Sequence, residues 1–344
     1  MSNVIRLGDY ITEISEKTTV NNQHMVLTSS QEGIVSQDDY FNKQVASKDN
    51  TGYKIIRRGQ FTYRAMSDTG RFYINRLTDY DIGIVSPAYP VFELRTNGQI
   101  LPEYLQEYFH SEHFQNAITL SSTGSTRVSL KLAKIADLRI DIPTLPKQQC
   151  AVQAISHVNH LISMQNSSAA KLDQLVKSRF VEMFGNRGEN PFGFPTIAMG
   201  NVYKFQYGKG NNIPEDKGDY PCYGSNGIVG HHTECNSEDS PIIGHIGAYA
   251  GIVNWGKGKH YVTYNGVICK LINDQVNPVY GYYLLQIQDY NAVAKSGAAQ
   301  PFVSYKDLDA PVANIPPLEL QNRFAAFVEQ TDKSKLSYEM EVAA

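Results

Sequence analysis

Residues 124–148 of this chain recur, without a gap, as residues 297–321. Gly124, Ile142, Pro143, Leu145 and Gln148 align with Gly297, Ile315, Pro316, Leu318 and Gln321, each 173 positions later. Both copies close on Ile-Pro-x-Leu-x-x-Gln, which opens a helix-like apolar pattern. A period this long is not that of a solenoid, whose units run to roughly 20–50 residues. It indicates one module of about domain size used twice. Duplicated modules do duplicated work, most simply by touching two sites on one extended partner.

Composition narrows the choice. The 344 residues suggest about two domains, each able to bury its own core. An apolar content of 42% and a charged content of 19% are those of a globular chain and argue against disorder. No apolar run is long enough for a membrane span, and Met1–Leu7 lacks the apolar stretch of a secretory signal, so a cytoplasmic protein is expected. Cys150, Cys222, Cys235 and Cys269 are few and irregularly spaced, which predicts reduced thiols. The net charge of -3 argues against a simple basic nucleic-acid binder. Locally the balance differs: Lys54, Arg57, Arg58, Arg64, Arg71 and Arg76 face one intervening anion, Asp68. A positive patch on a mildly acidic chain suits a protein whose partners supply part of the charge.

The repeat reaches beyond its best stretch. Leu7-Gly8-Asp9-Tyr10 resembles Met199-Gly200-Asn201-Val202, and Pro102-x-Tyr104 resembles Pro278-x-Tyr280. The chain then divides into a first module (1–146), a helical segment (147–189), a second module (190–319) and a final helical segment (320–344). In the first helix Val152, Ile155, Val158, Leu161 and Ile162, then Leu172, Leu175, Val176, Phe180 and Phe184, recur at helical spacing. Such a helix would run about 55 Å. Gly185 is a natural stop, and Gln165–Ser168 a place where it could bend. The second helix carries Phe324, Phe327, Val328, Thr331 and Leu336 on a similar stripe, so the simplest arrangement pairs the two as a coiled coil. Within the modules, Phe61–Arg64, Arg71–Ile74, Ile82–Val85, Ile242–Ile243, Gly251–Trp255, Tyr261–Thr263 and Val267–Cys269 read as short strands between turns. Short helices are expected at Glu103–Phe114 and Tyr280–Tyr290. The class is α+β.

No G-x-x-x-x-G-K-[ST] loop, dinucleotide fingerprint or methyltransferase Asn-Pro-Pro-Tyr/Phe element is present. Pro214-Glu215-Asp216-Lys217 is read as a solvated turn rather than a nuclease cluster. Cys222, His231, His232 and Cys235 lack the close pairing of a structural zinc site. The basic–aromatic stretch 54–76 offers arginine forks for phosphates or guanine edges, or else a hairpin with a solvated charged face. The glycine-rich loops Tyr223–Gly230 and Gly244–Gly251 carry side chains able to reach base edges, and equally make plain turns.

Together these features resemble the specificity (S) subunit of type I restriction–modification systems, HsdS. The likeness lies in the duplicated Ile142–Gln149 and Ile315–Gln321, in Leu172–Gly185, which is similar to the end of a central spacer helix, and in Tyr223–Gly230 with Ile242–Gly251. The resemblance implies two homologous mixed α/β target recognition domains separated by long helices that pair as an antiparallel coiled coil. It implies a non-catalytic DNA-binding reader of a bipartite site. Methyltransferase (M) subunits carrying S-adenosylmethionine dock on the helices, and restriction (R) subunits using Mg and ATP join them; this chain itself holds no cofactor or metal. The candidate DNA contacts are Arg57, Arg58, Tyr63, Arg64, Arg71, Arg76, Arg127, Lys209, Asn211, Ser225, Asn226, His231, His245, Tyr249, Lys295 and Gln300. The candidate helix interface is Val152, Ile155, Leu161, Ile162, Leu172, Leu175, Phe324, Phe327, Val328 and Leu336. Two departures stand out. From Gln148 to Gly185 is 37 residues, but from Gln321 to Ala344 only 23, so the second helix is expected to be short, as in a natural short form, a truncation or a self-associating variant. His245 stands where many recognition domains carry arginine. Competing readings are the recognition subunit of a type IIB-like system, a stand-alone nuclease built on the second module's loops, and a coiled-coil adaptor that binds proteins only.

Overall fold

The computed structural model describes residues 3–40, 49–95, 98–119, 128–210, 217–295 and 300–343. Gly124, Arg127, Asn211, 214–216 and Gly297 lie outside the described residues, as do the side chains of Lys295 and Leu336. The chain forms two compact units, Met1–His160 and Leu161–Ala344.

In the first unit, strand Asn3–Arg6 pairs antiparallel with Arg139–Ile142, with Val4 opposite Asp141. A single 3-10 turn, Leu7–Asp9, follows and leads into a four-stranded sheet ordered Ile11–Ile14, Val91–Leu94, Phe61–Thr62, Asn75–Arg76. Aromatic residues fill its core. Phe61 stacks on Phe92 at 5.3 Å, and Phe109 meets both edge-on at 6.0 and 6.1 Å, the offset and T-shaped geometries that ring quadrupoles favour. Leu27, Ile34, Ile56, Leu77, Val85 and Val91 form a smaller apolar cluster beneath the hairpin Leu27–Ser30/Gly33–Ser36 and the antiparallel pair Lys54–Arg57/Ile82–Val85. The expected strand Arg71–Ile74 is irregular, and pairing begins only at Asn75. The expected helix Glu103–Phe114 is two helices, Pro102–His110 and Glu112–Thr119. They part at Ser111, whose backbone is extended and whose hydroxyl accepts from Phe114 N, a local bond that competes with helix continuation.

The second unit repeats the frame and changes the sheet. Thr196–Ala198 pairs with Val312–Asn314, the turn Met199–Asn201 follows, and a six-stranded sheet comes next. Its order is Tyr203–Tyr207, Gly266–Leu271, Ser237–Gly244, Val253–Val262, Tyr220–Gly224, Gly227–His232. Helix Pro278–Ile287 starts at an Asn277 cap whose side chain accepts from Val279 N and Tyr280 N, satisfying donors that have no partner inside the helix.

The repeated sequence has a physical reason. Gln148 and Gln321 are fully buried and make the same three bonds. Gln148 Oε1 accepts from Leu101 N at 2.8 Å, and its Nε2 donates to Gln99 O and Pro143 O, both at 2.8 Å. Gln321 Oε1 accepts from Asn277 N at 2.8 Å, while Nε2 donates to Gln275 O at 2.9 Å and Pro316 O at 2.8 Å. Each glutamine ties the first turn of a long helix to the residue before a proline-initiated helix. Gly8 and Gly200 match as well: a Cβ at Gly8 would stand 2.9 Å from Ala136 O, and one at Gly200 3.0 Å from Asp309 Oδ1. Leu145–Phe184 is one uninterrupted 40-residue helix, so the polar Gln165–Ser168 does not break it. It ends where Gly185 takes φ 86°, a conformation glycine adopts without penalty. The final helix is Leu318–Ala343. Among the described residues no helix is long and apolar enough to cross a membrane.

Candidate DNA interface

The first unit presents a cleft of about 600 Å³. Arg64, Arg71, Tyr53, Tyr73, Tyr89, Gln31 and Gln37 line it, with serine and threonine hydroxyls between them. The hairpin Leu27–Ser30/Gly33–Ser36 forms part of the wall, and Asn75 holds it by donating to Ser29 Oγ and Ser30 O, both at 2.8 Å. Gln37 Oε1 is buried in the wall without a partner among the described residues. Arg64 is exposed at this cleft and forms no ion pair among the described residues.

The other arginines are not bare. Arg57 bonds Glu16 through both terminal nitrogens, at 2.6 and 3.0 Å. Arg58 pairs with Asp81 at 2.8 Å, Arg76 with Glu103 at 2.5 Å, and Arg71 with Glu112. The Arg57 guanidinium holds the Glu16 carboxyl below the usual carboxylate range through that bond. The positive patch counted along the sequence is therefore largely neutralised in the fold, by carboxylates from distant segments. Exposed pairs of this kind contribute only about 0–1 kcal/mol, so a DNA phosphate can replace such a carboxylate at small cost. Tyr63 corrects the reading as a surface platform. It is fully buried and donates its hydroxyl to Leu130 O at 3.1 Å.

In the second unit the two glycine-rich loops lie together. Ser225 Oγ is 2.8 Å from Ile246 O and 2.7 Å from Asn265 O, so its hydroxyl ties the loops and is not free for a base. Asn226 is exposed beside Gly227, whose φ is 85°. Lys209, His231, Tyr249 and Gln300 are exposed. His245 is only 5% exposed. Its ring stacks on Tyr207 at 4.2 Å and its Nδ1 lies 3.0 Å from Tyr264 O. This corrects the reading of His245 as a base contact: it packs inside a column whose next member, Tyr305, stacks on Tyr207 at 4.2 Å. Sequence reasoning missed the exposed Tyr264, Phe302 and Tyr305 around these loops. Backbone pairing of Gly247 N with Pro301 O and Val303 N with His245 O brings Phe302 beside Tyr249's loop, a proximity that no local pattern encodes.

Among the described residues no group of three or more His, Cys, Asp or Glu side chains is placed to hold a metal. His232 instead stacks on Tyr261 at 3.8 Å, and its Nδ1 accepts from Glu234 N at 2.9 Å. All four thiols are free, Cys222 and Cys269 buried, Cys150 and Cys235 exposed.

Of the expected helix-interface residues, Phe324 and Val328 are buried, and Val152, Leu172 and Phe327 partly so. Ile155, Leu161, Ile162 and Leu175 are exposed, a correction to the expected seam. The buried face of the long helix in the second unit is Val176, Phe180 and Phe184 of the same stripe. Phe180 and Phe184 meet Phe324 at 5.3 and 5.7 Å. Further along, Lys335 Nζ reaches Asp173 at 2.5 Å and Asp332 at 3.3 Å.

Comparison with known proteins places this geometry. Residues 199–341 match the type I restriction modification DNA specificity domain. The specificity subunit of the type I restriction enzyme EcoprrI of Escherichia coli is 29% identical over 167 residues, 46% of this chain and 39% of that subunit. A putative type I specificity subunit of Mycoplasma pneumoniae is 23% identical over 198 residues, 56% of this chain and 82% of that protein. The matched stretch thus spans well under half the length of the Escherichia coli subunit. Among solved structures, the S subunit of a type I restriction–modification system from M. genitalium superposes with a TM-score of 0.54 at 14% identity, over 100% of this chain and 92% of that one. A chain solved in work on complex assembly and conformational transition of the type I system gives 0.56 at 17% identity, over 99% and 93%. The chain is similar in sequence and in fold to the specificity subunits of type I restriction–modification systems, and its residues 199–341 match the DNA specificity domain of those systems.

Proposed function

We propose that this chain is the DNA-specificity subunit of a type I restriction–modification complex. Each unit's head reads one half of a bipartite target, and the chain carries out no reaction itself. The observation that carries this reading is the duplicated frame with dissimilar heads: two identical glutamine clamps support sheets of four and six strands. A pair of like supports with unlike surfaces suits contact with two different base sequences on one duplex. The segments 1–146, 147–189, 190–319 and 320–344 serve as first recognition domain, spacer, second recognition domain and closing helix. A 40-residue helix is about 60 Å long, enough to set the gap between half-sites, and its pairing with the final helix as an antiparallel coiled coil supplies the platform for M subunits. S-adenosylmethionine, Mg and ATP belong to the M and R partners. Arg64 with Arg71 in the first head, and Asn226, Lys209 and Tyr249 in the second, are the contacts assigned to DNA. The test is methylation of a random-sequence duplex library. The purified chain alone should transfer no methyl groups and, with its M subunit, should direct adenine methylation to one bipartite motif. Turnover by the chain alone, or motif-independent methylation by the complex, would end the reading.

A further inference from the structure

The duplicated frame fixes more than the two glutamines. In the first unit Leu130 N donates to Ala65 O at 2.9 Å, and in the second Val303 N donates to His245 O at 3.0 Å. Leu130 and Val303 stand 173 positions apart, the spacing of the repeat, and both are buried. Tyr63 and Ile243, two residues before the accepting carbonyls, are fully buried as well. The neighbouring positions pair alike: Ser129 lies opposite Met66, and Phe302 opposite Ile246, both antiparallel. Extended backbone turns successive side chains to opposite faces, so with Leu130 and Val303 in the core, Ser129 and Phe302 point outward. Both are exposed, and Phe302 leaves 49% of its surface open. One strictly held position thus carries unlike side chains that belong to neither core.

Phe302 is seated between the two loops whose side chains are assigned to DNA above. Ile246 O, across the bridge from it, accepts from Ser225 Oγ at 2.8 Å, which sets the exposed Asn226 in the adjoining loop. Gly247 N donates to Pro301 O at 2.8 Å and Ala250 N to Gly247 O at 2.9 Å, closing the tight turn that bears the exposed Tyr249. With its neighbours Pro301 and Val303 both bonded, the ring needs little ordering on binding. In the major groove an apolar side chain packs on the thymine methyl, and an amide binds adenine N6 and N7. An apolar ring beside an asparagine loop therefore matches the edge of an A·T pair. We propose that Phe302 is a specificity-determining residue of the second head that packs on the C5 methyl of a thymine in its half-site. This rests on the DNA-reading role proposed above. Ser129, at the same position of the frame, offers a hydroxyl instead, so the first half-site is read there without a methyl contact.

The test uses the chain with its M subunit and the motif that methylation reveals. Each thymine of the second half-site, on either strand, is replaced singly by deoxyuridine, which removes only the methyl group, and binding is titrated by gel shift. One replacement should weaken binding about fourfold, the worth of a buried methyl group. The same replacement should have no effect on Phe302→Ala, whose binding to the unmodified site should already be weaker by at least that factor. Phe302→Leu should keep the sensitivity, and replacements in the first half-site should act alike on wild type and variant. Phe302 is exposed, so the melting temperature should not change. A second half-site with no thymine whose methyl matters, or a sensitivity that persists in Phe302→Ala, would overturn the assignment while leaving bipartite methylation intact. Uniform weakening of Phe302→Ala on all sequences, the mark of a wedge between base steps, would overturn it too. So would loss of M-subunit binding by the variant in sedimentation, the mark of a protein contact. A complex that methylates no bipartite motif would fail the proposed function as well.

Discussion

Arg64 and His260 show how differently two polar residues are placed. Arg64 stands exposed at the first unit's cleft while its neighbouring arginines are held by carboxylates. A bidentate arginine–base contact is worth about 1–3 kcal/mol, so Arg64→Ala should cut methylation of the cognate site about tenfold or more while leaving the melting temperature unchanged. Wild-type rates on unchanged sites would take the cleft out of the reading surface. His260 is buried, with Nδ1 donating to Gly258 O at 2.8 Å and Nε2 3.3 Å from Ser240 Oγ. Burial pushes its pKa down. The unfolded chain therefore takes up the proton more readily than the folded one. Stability is full above the unfolded value of about 6.5 and falls as pH drops below it. The melting temperature should decline from pH 7 to pH 5, and less steeply in His260→Gln; identical profiles would clear His260 of that role. At this scale the sequence was legible in residue type and not in pairing. Six cations stood together in the string, but Glu16, Asp81, Glu103 and Glu112 reach them only through the fold.

Elements follow local chemistry where one bond decides them. The glutamine clamp is the clearest case, and it explains why Ile-Pro-x-Leu-x-x-Gln was the best-matched stretch. The proline supplies a carbonyl, and the glutamine binds it together with two backbone groups at the start of the earlier, proline-initiated helix. Replacing Gln321 with leucine leaves Asn277 N, Gln275 O and Pro316 O buried without that partner. Unpaired buried groups cost about 1–3 kcal/mol each, so Gln321→Leu should destabilise the second unit by roughly 3 kcal/mol or more in urea unfolding. A change under about 1 kcal/mol would show that the clamp is dispensable. Helical stripes were legible for the same reason, since spacing marks an apolar face. Which part of the stripe is covered was not: Val176, Phe180 and Phe184 are buried and Ile155 is not, because coverage depends on neighbours far away in sequence. The break at Ser111 was equally invisible, as either backbone path satisfies the local pattern.

On the scale of the whole molecule, duplication was readable because the frame is built from short, strict contacts that tolerate little change. The heads were less so. Their strands are short in the first unit and bulged in the second, where register shifts fall at Cys222/Tyr223 and between Glu238 and Ser240. Replacing residues 203–271, the span of the six-stranded sheet, with the corresponding stretch from a relative of different specificity should alter one half of the methylated motif and leave the other unchanged. Altered bases in both halves would contradict independent reading. The buried glutamines carry a further implication. Every group they bind belongs to the frame and none to a recognition sheet, so the joint is indifferent to what sits above it. On the function proposed above, recombination between relatives would trade one head for another at the level of genes and give new target sequences without any need to redesign the socket.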